Sequence, residues 1–232
     1  QQPILQSIGV NDMNKLKDTV TFDDVLLVPQ YSEVMSRKTI DISSALSDDL
    51  HFDLPVISAP MDTVTETSMM KAMSDCGGLG IVHRYNTISQ QSYGVKNCNT
   101  VAGAAIGVTG DYIQRATKLV EAGAKVLCVD VAHGHHCMVR HALKVLRNTF
   151  GDGIHIMAGN VATLQAFNDL SDWGADSVRV GIGGGSICST RIQTGHGVPT
   201  LQSVFDCSQS DRPAKLIADG GIKTSGDIVK AL

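Results

Sequence analysis

Glu121–His136 reads EAGAKVLCVDVAHGHH, and the order of residue types in this stretch decides the fold. Gly123 closes an amphipathic segment, an apolar run follows over Val126–Ala132, and the run carries one carboxylate, Asp130, close to a polar Gly/His loop. An apolar run without strict alternation suits a parallel strand covered on both faces. A glycine just after a helix suits a left-handed cap. The stretch therefore reads as helix end, buried strand and functional loop.

The same unit recurs on either side. Short Val- and Ile-rich runs lie at Val56–Ala59, Leu79–His83, Ala104–Val108, Ile154–Ala158, Ser177–Ile182 and Lys215–Ala218. Between them, Ile113, Ala116 and Val120 share one helical face, as do Val139, Ala142, Leu143, Leu146 and Phe150, and Leu164, Phe167 and Leu170. Gly77 and Gly174 precede a strand as Gly123 does. Such alternation builds a parallel sheet. Polar or Gly-rich segments follow nearly every strand (APMDT, HRYN, DVAHGHH, AGNVAT, GIGGGSICST, ADGGIKTSGD). A doubly wound sheet would collect them at one switch point, so a TIM (β/α)8 barrel is expected. Seven strands are counted and the sequence stops at Leu232 in the helix after the seventh. The reading is a single catalytic barrel domain over residues 1–232, truncated after the seventh strand, with an N-terminal arm of about residues 1–50.

Composition narrows the function classes. The 232 residues carry a net charge of −4 with no block of like charges, which disfavours a nucleic-acid partner. No apolar run reaches the roughly 20 residues that span a bilayer. Gln1–Asn14 lacks the basic start and apolar core of a signal peptide, so a cytoplasmic location is the default. Six cysteines at 76, 98, 128, 137, 188 and 207 form no C-x-x-C pair and read as reduced thiols.

Four segments carry candidate chemistry. In Gly181–Thr194 (GIGGGSICSTRIQT), Gly181, Gly183, Gly184 and Gly185 allow backbone N–H groups to approach a ligand, and Ser186 offers a hydroxyl to a phosphate. Cys188 lies in this polar loop with Arg191 nearby to favour the thiolate; the alternative is a structural loop with a buried cysteine. Ser186 in the sixth position breaks the dinucleotide-binding fingerprint. In Ile217–Asp227, Asp219 at a strand end before Gly220-Gly221 suits a ribose diol beside a phosphate, or else caps the next helix. In Asp130–His136, Asp130 is placed for a ribose, while His133, His135 and His136 lack acidic or thiolate partners at metal-site spacing. Asn160, in AGNVAT, either orients a substrate hydroxyl or satisfies loop backbone.

Taken in order, TFDDVLLVPQYSEV, SAPMDTVTE, GGLGIVH, GAAIGV, AGNVAT, GIGGGSICSTR, TGHGVP and ADGGIKTSGDIVKAL resemble the signatures of the IMP dehydrogenase/GMP reductase family from about Val20 to Leu232. The resemblance implies a TIM barrel in which Cys188 attacks the purine 2-position of a nucleotide monophosphate. Thr190 matches the threonine that handles water or ammonia. Ser186, with Gly220 and Gly221, matches phosphate contacts, Asp219 the ribose carboxylate, Met61 the base contact, and Asn160 and Arg179 further substrate positions. Asp130, Ala132, Gly181 and Gly183 match the cofactor side, Asp130 at the nicotinamide ribose. The cofactor is NAD in the dehydrogenase and NADP in the reductase. The carbonyls of Gly183, Gly185 and Cys188 match a potassium site, and the assembly implied is a homotetramer.

Departures are informative. Gly183-Gly184-Gly185 stands where the family usually has Gly-Pro-Gly, and Ser189 replaces a common threonine. Ile88-Ser89-Gln90-Gln91 is followed within about ten residues by VAGAAIGV, leaving no room for the CBS-domain pair that dehydrogenases usually insert. The second phosphate loop and the catalytic flap of the family would lie beyond Leu232. The wording of TFDDVLLVP, SAPMDTVTE and ADGGIKTSGDIVKAL favours IMP dehydrogenase. The missing CBS pair is closer to GMP reductase, and an inactive truncated nucleotide-binding barrel is the third reading.

Overall fold

The computed structural model describes residues 18–186 and 188–232, so the reading of Gln1–Asn14 lies outside the described residues. The first strands, β1 (Ser44–Ser47) and β2 (Leu50–Phe52), pair as an antiparallel hairpin. Seven more follow: β3 (Ile57–Ser58), β4 (Leu79–Val82), β5 (Ala102–Ile106), β6 (Val126–Asp130), β7 (His155–Val161), β8 (Ser177–Val180) and β9 (Lys215–Ala218). They form one sheet in the order β3-β4-β5-β6-β7-β8-β9, every neighbouring pair parallel. A doubly wound sheet reverses its order at the switch point. Here the order follows the chain, which is how a barrel is wound. The sheet curls until its two edge strands, β3 and β9, line one cavity of about 520 Å³. The result is a TIM barrel with seven of its strands.

The helices are α1 (Thr67–Asp75), α2 (Ile88–Lys96), α3 (Tyr112–Glu121), α4 (Cys137–Phe150), α5 (Leu164–Asp172), α6 (Thr190–Thr194), α7 (Thr200–Cys207) and α8 (Ser225–Ala231). All three expected glycine caps form. Gly77, Gly123 and Gly174 take φ of 81°, 106° and 108° after α1, α3 and α5. Each cap carries paired bonds back into its helix, as in Gly123 N–H to Val120 O and Ala124 N–H to Leu119 O, both 2.9 Å.

Alternate strand residues divide the core in two. Leu127, Val129, Ile156, Ala158, Val178 and Val180 face outward, against Leu119, Leu143, Leu146, Phe167 and Leu170 of the helices. Ile81, Ala105, Val126, Cys128 and Met157 face inward. Leu50 and Phe52 of the hairpin join this inner cluster and close the N-terminal end of the barrel. The hairpin was not foreseen, because SALSDDLHF has no alternating pattern and gains its burial only from the barrel above it. β7 also runs past its expected end at Ala158 to Val161, because Val161 continues the pairing with Val180 after an irregularity at Gly159. Among the described residues, no helix is long and apolar enough to cross a membrane.

One buried titratable group sits near the hairpin end. His155 is 6% exposed and its Nε2 lies 2.8 Å from Ser177 Oγ. Burial holds its pKa below the ordinary 6.5, against the opposing pull of Asp176. A histidine with a depressed folded pKa contributes stability above its unfolded pKa and loses it as pH falls toward the folded value. Urea titrations from pH 7 to pH 5 are therefore expected to show a steeper loss of stability for the parent than for His155→Gln. Parallel curves would assign that loss elsewhere.

Candidate active site

The site stands at the C-terminal ends of β6 to β9. Register places Asp130, Gly159 and Arg179 opposite one another on β6, β7 and β8. Gly159 has no side chain, and a Cβ there would come within 2.7 Å of Arg179 Cβ. The guanidinium therefore has a clear path across β7. Arg179 is 7% exposed, donating from Nη1 to Asp130 Oδ1 and from Nη2 to Asp219 Oδ2, both at 2.8 Å. A buried guanidinium is tolerable only when its donors are matched in this way.

Asn160 completes the cluster. Its Nδ2 donates to Asp219 Oδ2 at 2.6 Å and to Gly181 O at 2.8 Å. Its backbone holds the loop after β6, accepting from Gly134 N–H at 2.7 Å and donating to Val131 O at 2.9 Å. The loop satisfaction considered for Asn160 is thus present, and its side chain is spent on Asp219 and Gly181. Asp219 is not the cap of α8: Thr224 fills that place, in a capping box with Asp227. The histidines of the β6 loop also have local partners. His135 Nε2 lies 2.7 Å from Asp169 and its ring stacks on Trp173, while His136 Nδ1 accepts from Met138 N–H at the start of α4.

The Cys188 loop packs directly on the loop after β9. Gly181 has φ of 153°, and a Cβ there would run into the carbonyl oxygen of Asp219. Gly184 is equally confined, by Thr200 Oγ1. These glycines let the two loops touch backbone to backbone. Cys188 is partly exposed, and its N–H donates to Gly185 O at 3.1 Å. Its thiol is held below the ordinary value, first by the Thr190 hydroxyl and then by the Thr190 N–H. Arg191 assists through its backbone N–H, while its side chain lines a neighbouring cavity of about 550 Å³. The counter-charge expected from Arg191 is thus supplied by hydrogen bonds instead. Burial pushes Cys128 and Cys207 the other way, to about 12. Cys188 is thus held toward the thiolate while Cys128 and Cys207 are held as thiols.

The structure brings most of the expected residues together. Asp130, Asn160, Arg179 and Asp219 form one bonded cluster. Gly183, Gly184, Gly185, Ser186 and Gly221 share the cavity beside Cys188 with Arg191 and Lys223. Gly220 lies against Gly184 and Gly185. Met61 is half-buried in the turn after β3, on the opposite edge strand, and Ala132 is exposed after β6. Sequence reasoning missed Thr21–Asp23, which line the Cys188-loop cavity and are tied to α8 by Lys230 Nζ donating to Phe22 O at 2.6 Å. No local pattern signals a contact between residues so distant in sequence. Among the described residues, no group of three or more His, Cys, Asp or Glu is placed to hold a metal ion.

Known proteins share both wording and architecture. A family model described as "IMP dehydrogenase / GMP reductase domain" matches residues 19–232. The inosine-5'-monophosphate dehydrogenase of Nitrosopumilus maritimus is 30% identical over 94% of this chain and 73% of its own. The crystal structure of the Legionella pneumophila inosine 5' monophosphate dehydrogenase superposes with a TM-score of 0.87 at 49% identity. That match covers 92% of this chain and 66% of the other, so the chain spans about two thirds of that relative's length. The Trypanosoma brucei GMP reductase in complex with guanosine 5'-triphosphate superposes at 0.90 with 27% identity, over 95% of this chain and 85% of the other. With the inward cluster and the Cys188 loop at the strand ends, these matches place the chain in the IMP dehydrogenase/GMP reductase family.

Proposed function

We propose that this protein is an IMP dehydrogenase, a single catalytic barrel that oxidises IMP to XMP with NAD+ through a covalent intermediate on Cys188. The observation that carries the reading is the Cys188 loop, whose thiol is lowered by Thr190 and whose backbone lies against Asp219–Gly221. The thiolate adds to C2 of the hypoxanthine, and the hydride leaves C2, giving a thioimidate. Water then adds at C2, one proton is released, and Cys188 departs as thiolate with formation of XMP. A covalent adduct splits one difficult step into two easier ones. The bound nicotinamide supplies the hydride acceptor.

The chain's own groups divide the remaining tasks. Thr190, whose hydroxyl lowers the thiol, handles the proton of the attacking water in this reading. Ser186 and Gly221 share a cavity with Arg191 and Lys223, a setting suited to a phosphate. Asp219 uses Oδ2 on Arg179 and Asn160, leaving Oδ1 for the ribose diol. Met61 packs the base. Asp130, with Ala132, Gly181 and Gly183, takes the cofactor. The carbonyls of Gly183, Gly185 and Cys188 are neutral oxygen donors of the kind a potassium ion takes, and Gly185 O keeps a second lone pair beyond its bond to Cys188 N–H. The reading carries with it a cytoplasmic homotetramer.

Identity of 49% to a dehydrogenase against 27% to a reductase supports the direction of the reaction. The reductase reading, NADPH-dependent deamination of GMP to IMP, draws support from the direct passage of α2 into β5 with no domain inserted between them. Nicotinamide absorbance decides. Purified protein with IMP, NAD+ and potassium is expected to accumulate reduced cofactor, and none when IMP is omitted. Consumption of NADPH with GMP instead would establish the reductase. Inertness in both assays would leave a nucleotide-binding barrel.

A further inference from the structure

We infer that Arg179 is a shared positioning residue that couples the nucleotide subsite to the cofactor subsite, because one guanidinium holds Asp219 and Asp130 at once. The inference rests on the functional reading above, which gives Asp219 to the substrate ribose and Asp130 to the cofactor ribose. Resemblance alone would make Arg179 another substrate contact. Its donors point elsewhere: Nη1 to Asp130 Oδ1 and to Cys128 Sγ at 3.6 Å, Nη2 to Asp219 Oδ2.

Charge and geometry make the sharing consequential. Two carboxylates face one cation, so the trio holds one uncompensated negative charge. The carboxylates remain partly open, with side-chain exposures of 20% for Asp130 and 26% for Asp219, while Arg179 is enclosed at 9%. Cys128 beneath it is fully buried, with its pKa pushed up to about 12, so it is a neutral acceptor and offers no second counter-charge. A change in the charge of one carboxylate is therefore passed to the other through the guanidinium. Lysine cannot substitute, because a point charge lacks the fork that reaches two acceptors in different directions. Asn160 also holds Asp219 Oδ2 and braces the loop after Asp130, so the coupled unit is rigid on both sides.

The coupling is readable without turnover, by calorimetric titration of IMP alone into the parent and its variants. Asp130 is on the cofactor side, so with independent subsites Asp130→Asn leaves IMP affinity unchanged. With Arg179 shared, the freed guanidinium pairs wholly with Asp219, weakening that carboxylate as an acceptor, and IMP affinity falls by about threefold to tenfold. In an Arg179→Met background the sign reverses. There Asp130 and Asp219 repel each other uncompensated, and adding Asp130→Asn tightens IMP binding. Arg179→Lys keeps a cation without the fork, so adding Asp130→Asn in that background is expected to bring no fall in IMP affinity, which separates the fork from the charge. Melting curves of all variants monitor folding. If the Met variant does not fold, the Lys variant supplies the second background. Failure of IMP to bind the parent would refute the functional reading. Binding by the parent that is unchanged by Asp130→Asn, or shifted in the same direction in both backgrounds, would overturn the coupling alone.

Discussion

Cys188→Ser is expected to lose turnover by at least about 10³-fold while melting within a few degrees of the parent. The loss follows from chemistry: a serine hydroxyl ionises far less readily than a thiol already biased toward its anion and cannot replace it. The unchanged stability follows from position, since Cys188 is partly exposed in a loop and belongs to neither half of the core. Thr190→Val refines the test. The Thr190 hydroxyl is the largest cause of the lowered thiol pKa, so its loss moves that pKa upward. In the proposed mechanism the anion is the active form, so the acid limb of the kcat/KM profile is expected to shift to higher pH. A Cys188→Ser variant retaining a tenth of parental turnover would refute the covalent mechanism. A Thr190→Val profile with an unmoved acid limb would refute the stated cause of the thiol shift.

Gly181→Ala carries the second large effect, and it joins stability to function. At φ of 153° an alanine is strained, and its Cβ meets the backbone carbonyl of Asp219, which cannot swing aside as a side chain would. A cost above about 3 kcal/mol is expected in urea unfolding. Gly123→Ala is the comparison. Its φ of 106° imposes strain, but its Cβ would enter open space, so about 1–2 kcal/mol is expected. Activity should separate the two further. Displacing the Asp219 backbone moves the carboxylate proposed for the ribose, and misplacement of about 1 Å costs on the order of 10²-fold in rate. Gly123, after α3 and at the opposite end of β6 from the site, should leave kcat/KM unchanged. Equal effects on stability and rate would mean that the close approach at Gly181 is not what confines the site.

Much of the fold was legible locally. Val126–Val129 is apolar because both faces of β6 are covered, and its uninterrupted run announced that. Gly123 marked the end of α3 because only a left-handed residue fits after Ala122. The hairpin was not legible, because Leu50 and Phe52 are buried by strands far along the chain rather than by their neighbours. The site divides in the same way. Cys188, Asp219 and Asp130 stood out as reactive types among glycines at strand ends. The use of Arg179 did not, and neither did the contribution of Thr21–Asp23.

By itself, then, the sequence determined the alternation of strands and helices, the helix caps and the residue types gathered at the strand ends. Each of these depends on interactions within a turn or a single strand. Only the tertiary structure decided which groups meet. Arg179 bonds residues 49 and 40 positions away, and it reaches both because parallel register and curl place their strand ends side by side. The partners of a side chain across a barrel depend on the register and curvature of the whole sheet, a sum over long-range packing that no local periodicity encodes.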